Sequence, residues 1–75
     1  MISLDRLKKY QSAVIDRFET DKLPMKLIEM GCIPGNEITL LHQAPFKGPI
    51  YLKVDQSYLA IYKETAKNII VRLIS

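Results

Sequence analysis

A mainly β fold, a small barrel of about five strands with one short helix inserted after the first strand, is what this sequence predicts. Three observations carry that prediction. Short stretches alternate apolar with polar residues, as half-buried strands do, most clearly Ile50-Tyr51-Leu52-Lys53-Val54-Asp55. A single run from Leu23 to Met30 instead spaces its apolar residues by three and four, the period of an amphipathic helix. Between that run and the next alternating stretch stands Gly31-Cys32-Ile33-Pro34-Gly35, a helix stop followed by a turn. Glycine stops a helix in a left-handed conformation without a Cβ penalty, and the Pro-Gly pair presets one turn angle and frees the next.

Each element follows in order. Ser3-Leu4-Asp5-Arg6-Leu7 reads as one helical turn behind an N-cap serine, too short to stand alone and leaning on the barrel. Ala13 to Phe18 carries the β-branched and aromatic residues of a first strand, with Ala13 and Ile15 on one face and Val14 and Phe18 on the other unless a bulge intervenes. Pro24 suits the first turn of a helix of about two turns, in which Leu23, Leu27, Met30 and Ile28 form the apolar stripe while Lys26 and Glu29 face solvent. Glu37 to Gln43 is a strand with Ile38 and Leu40 inward and His42 in the same phase. The Ala44-Pro45-Phe46-Lys47-Gly48-Pro49 loop then turns the chain back antiparallel into the strand from Ile50. A tight turn leads to Tyr58–Tyr62, with Leu59 and Ile61 inward and both tyrosines outward. Lys63 to Lys67 makes a helical turn, and in the last strand Ile69, Val71 and Leu73 point inward while Ile70 and Ile74 require cover from the short turns. Closing such strands into a barrel removes exposed edges, which favours an SH3-like barrel; an OB-type barrel would place its helix later in the chain.

The 75 residues make a single domain, 1–75, of ordinary globular composition, 48% hydrophobic and 25% charged, with a mild net charge of +3. Cys32 is the only cysteine, so neither an internal disulfide nor a Cys-based zinc cluster can form within one chain, and a cytoplasmic location is expected. No stretch reaches the roughly 20 apolar residues of a membrane span, which leaves a membrane role only through a partner. No glycine precedes a Gly-Lys-Ser/Thr run, so the chain lacks a P-loop. His42, the lone histidine, has no evident nucleophile among Ser12, Ser57 and Cys32, and no catalytic residue is assigned. One histidine cannot supply a facial set of two histidines and a carboxylate within one chain, so neither a metal ligand nor a cofactor is assigned, a site shared between two copies being left open; Cys32 reads as a small hydrophobe in an apolar corner. Tyr51, Tyr58 and Tyr62 with Lys53, Lys63, Lys67 and Arg72 would suit nucleic-acid stacking, but outward tyrosines usually cover sheet surface, and no nucleic acid is expected.

The run Leu27, Met30-Gly31-Cys32-Ile33-Pro34-Gly35, followed by Ala44-Pro45, Gly48-Pro49, Leu59-Ala60-Ile61, Ala66 and Ile69-Ile70-Val71, resembles the FeoA family over nearly the whole chain. Tyr62 and Lys26 depart from the basic residue and the arginine usual in that family. The resemblance implies an SH3-like, non-enzymatic accessory of ferrous iron transport that acts with the cytoplasmic GTP-binding part of the permease FeoB. It also implies a kinship with a barrel fused to iron-dependent repressors, so a stand-alone regulatory or peptide-binding module is the alternative. Family descriptions include transition-metal binding, and a weak homo-oligomer is left open. The expected partner contact combines Pro45, Phe46 and Lys47 of the proline-framed loop with Lys26 and Glu29 of the helix.

Overall fold

Strands with one apolar side bury it against each other, and the computed structural model, which describes residues 1–46 and 48–74, shows how this chain does so. Its order is β1 (Ile2–Ser3), a 3-10 turn (Leu4–Arg6), β2 (Ser12–Phe18), α1 (Met25–Glu29), β3 (Glu37–Gln43), β4 (Ile50–Val54), β5 (Ser57–Ile61), α2 (Lys63–Ala66) and β6 (Ile69–Leu73). The six strands form one sheet in the order β1-β6-β2-β3-β4-β5, with every neighbouring pair antiparallel. The expected strands are all present, and β1 adds a short sixth by pairing with β6.

Ala13, Ile15, Ile38, Leu40, Leu52, Val54, Leu59, Ile61, Ile69 and Val71 fill the core with their neighbours. Leu4 and Leu7, either end of the 3-10 turn, are buried in the same cluster, as are Leu27, Cys32 and Ala66. The turn therefore leans on the core, although the Ser3 hydroxyl bonds to the Asp5 carboxylate and not to a backbone N–H.

Two bulges change side-chain phase. Ile15 faces Val71 and Arg17 faces Ile70, leaving Asp16 as the extra residue. Phe18 is thereby carried to the core side, opposite Ile69. Leu41 is the extra residue between Leu40 and His42, so His42 pairs with outward Tyr51 instead of sharing the inward phase of Ile38 and Leu40. It is exposed, its ring stacked 6.1 Å from that of Tyr51. Gln43 instead lies opposite Ile50, and its amide donates to the Asp5 and Leu7 carbonyls. Leu73 keeps the inward phase expected of it but is left uncovered. It sits at the last pair of the β2–β6 ladder, opposite Ala13, and is 44% exposed, with Ile74 exposed beyond it, so the short turns do not cover that end.

The junction from α1 to β3 is tightly bonded. Gly31 N–H donates to Ile28 and Cys32 N–H to Leu27, the two bonds of a Schellman stop, with Gly31 at φ +98°. Asn36 N–H then donates to Ile33 across Pro34-Gly35, with Gly35 at φ +95°, as a type II turn requires. Gly35 N–H to Ile15 O and Ile15 N–H to Asn36 O tie this turn to β2. The helix itself is only five residues long, shorter than its sequence period suggests, because Pro24 stands outside it as N-cap and Gly31 closes it early.

Candidate protein-docking site

A concavity runs between α1 and β5, a groove of about 370 Å³. Leu27, Met30, Leu59 and Ile61 line its apolar part, while Tyr58 and Tyr62, 66% and 72% exposed, stand at its sides. It exists because β5 ends the sheet and α1, delivered by the Gly31 junction, passes beside that strand with Leu27 turned into the core.

The expected contact residues divide between two places. Lys26 lines the groove, and Glu29 is exposed on the same short helix. Pro45 and Phe46 lie on the β3–β4 loop, beyond the Gln43–Ile50 pair, and do not line the groove. The Gly31 junction lies toward the other end of those strands, where Asn36 donates to Asp55. Phe46 is 98% exposed at φ +57°, so its ring stands off the barrel and does not fold over its mouth. Lys47 lies outside the described residues. The groove is not legible in sequence: outward tyrosines mark one face of β5, but nothing in a single strand says that its neighbour on one side will be missing.

Neither a reaction centre nor a metal centre is assembled from the residues considered for one. Ser12 bonds to Thr39, 2.8 Å between hydroxyls, and no hydrogen bond joins His42 to a serine or to Cys32 among the described residues. Cys32 is fully buried, and desolvation pushes its thiol up to about 11, which keeps it protonated and a poor ligand. No group of three or more His, Cys, Asp and Glu side chains able to hold a metal ion occurs among the described residues. Cys32 precedes β3 whereas His42 lies near its far end, so the strand's own length, about 17 Å from Glu37 to His42, keeps the two apart. These residues do not fit a resident transition metal. No helix among the described residues is long and apolar enough to cross a membrane.

A single antiparallel sheet curled around one apolar core, with a helix laid beside its last edge, places this molecule among the small SH3-like barrel domains. The FeoA domain model matches residues 2–73, and the chain belongs to the FeoA domain family, a family of SH3-like domains and not a known enzyme family. It is 34% identical over 73 residues to the Fe(2+) transport protein A/Fe(2+) transporter FeoB fusion protein of Porphyromonas gingivalis, a match that covers 96% of this chain and 9% of that protein. The chain thus spans about a tenth of that relative's length. The zinc complex of Stenotrophomonas maltophilia FeoA, described as an SH3 domain protein, superposes with a TM-score of 0.78 at 24% identity, covering 95% of this chain and 89% of that one. A manganese-dependent transcriptional repressor shares the fold at a TM-score of 0.83 and 16% identity, covering 96% of this chain and 41% of that one.

Proposed function

We propose that this domain is a non-enzymatic cytoplasmic accessory of ferrous iron uptake that binds the cytoplasmic GTP-binding part of a FeoB-type permease and biases its state. The observation that carries the reading is the relative in which a FeoA segment, similar to this chain along 96% of its length, is covalently joined to FeoB. Fusion holds two modules at an effective concentration that modules on separate chains must replace with affinity, and in either case the two need surfaces that dock. The α1–β5 groove with Lys26, and the exposed Phe46 on its proline-framed loop, supply apolar contact area of the kind that anchors interfaces. Lys26, Glu29, Pro45, Phe46 and Lys47 are the proposed contact residues.

Co-purification of this chain with the separately expressed cytoplasmic domain of the permease tests the reading. A stable or nucleotide-dependent complex supports it; no retention in any nucleotide state at micromolar concentrations sinks it. The fold shared with a transcriptional repressor favours a second reading, a regulatory module that binds a peptide or regulator other than the permease. Recovery of such a complex, with the permease domain absent from it, would favour that alternative.

A further inference from the structure

The outer edge of β5 is unpaired: β4 lies on one side, and the sheet has no strand on the other among the described residues. Val54 and Ser57 are directly opposed across the two-residue turn Asp55-Gln56, the position at which such a hairpin exchanges both backbone hydrogen bonds. Bonding to β4 then falls at Ser57, Leu59 and Ile61, because the pattern alternates along an antiparallel ladder. The N–H and C=O groups of Tyr58 and Ala60 are left pointing away from β4. Both residues line the groove beside α1.

Among the devices that keep a protein edge from pairing are proline, a bulge and an inward charge. Ser57-Tyr58-Leu59-Ala60-Ile61 has none of these, and its register with β4 runs unbroken. An open edge facing an apolar channel is the geometry of strand addition.

Charge selects the occupant. Lys26 lines the groove itself. The adjoining hollow that shares Tyr62 is lined by Lys63, Lys67 and Glu64, and the one that shares Pro24 and Thr65 adds Lys22. Four lysines thus face one carboxylate, and none of the four is in an ion pair among the described residues. A second copy meeting this edge symmetrically would set two lysine rims against each other. We infer that the free edge of β5 and the groove beside α1 take up an extended segment of a partner protein as an added strand, with apolar side chains entering the groove and acidic ones meeting the lysines. The inference rests on the proposed protein-docking role and names the chemistry of what docks.

A fluorescein-labelled peptide of alternating Glu and Val, titrated with the intact chain and read by anisotropy, tests it. Saturable binding is expected, weaker by about tenfold or more for the same peptide methylated at alternate backbone nitrogens, since ladder bonds are then lost while side chains and charge are kept. Ala60→Pro should weaken binding comparably without unfolding the domain, because that N–H is not used by β4. If this variant does not fold, the methylated peptide on the unaltered chain decides. Equal binding of methylated and unmethylated peptides would overturn strand addition, and equal or better binding of a Lys-Val peptide would overturn the acidic assignment. A concentration-dependent dimer that excludes the peptide and is abolished by Ala60→Pro would make the occupant a second copy and overturn the inference. Undiminished retention of the permease domain by Ala60→Pro would overturn it too, leaving the proposed function standing. Edge-dependent peptide binding with no retention of the permease domain would support the inference and overturn the permease reading instead.

Discussion

At the scale of single residues, Gly31 and Cys32 show two different constraints meeting at one junction. Gly31 holds a backbone angle that side chains other than glycine adopt under strain, and an added Cβ would stand 3.0 Å from Asp55 Oδ2 and 3.4 Å from Val54 Cγ1. Gly31→Val should therefore cost about 1–3 kcal/mol from backbone strain alone, seen as a lower and less cooperative melt; a fully folded variant that merely failed to bind would contradict this. Cys32 is constrained by burial. Its folded thiol titrates near 11 against an ordinary 9.0, so below pH 9 both folded and unfolded states keep the proton and stability is whole. As pH rises from 9 toward 11 the unfolded thiol ionises first and stability falls. The melting advantage of the native chain over Cys32→Ala should shrink across that window, and an advantage that stays constant would refute the assignment. Gly31 was legible in sequence because its conformation is a property of the residue type. The outward turn of His42 was not, because Leu41 carries no mark of the bulge that shifts it.

Elements behave differently according to how local their causes are. The β4–β5 hairpin follows from strict alternation, and its inward residues Ile50, Leu52, Val54, Leu59 and Ile61 are those the pattern names. The α1–β3 connection follows from Gly31, Pro34 and Gly35, each of which sets its own turn. What alternation does not reveal is where a ladder slips, so Asp16 and Leu41 move Phe18 inward and His42 outward against the simple reading. The β3–β4 loop makes a prediction at this scale. Phe46 contributes almost no burial and occupies a left-handed conformation. Phe46→Ala should leave the thermal midpoint within a few degrees while weakening retention of the permease domain by about tenfold, the loss typical of an interface anchor. Unchanged retention, or a collapse in stability, would remove Phe46 from the proposed contact.

The whole molecule is one small core to which every strand contributes, β1 only through the half-buried Ile2, which leaves little redundancy. Leu52 is fully buried in β4, flanked by β3 and β5, and Leu52→Ala should cost about 2–5 kcal/mol through lost burial and the cavity left behind. Against the 5–15 kcal/mol typical of a domain this is a large fraction, so a loss of unfolding free energy below about 1 kcal/mol, read from denaturant titration, would show the core to be more plastic than its burial implies. The open edge of the same sheet creates the candidate site. By itself the sequence determined the strand phases away from the bulges, the glycine-proline junction and the family, because each depends on a residue and its near neighbours in the chain. Tertiary structure alone decided that β1 and β5 end the sheet, that α1 lies beside the open edge of β5, and that lysines from two stretches, 22–26 and 63–67, line the groove and the hollows adjoining it. The physical reason is that backbone hydrogen-bonding groups are the same at every residue, so no side chain names its strand's distant partner or announces that one is missing.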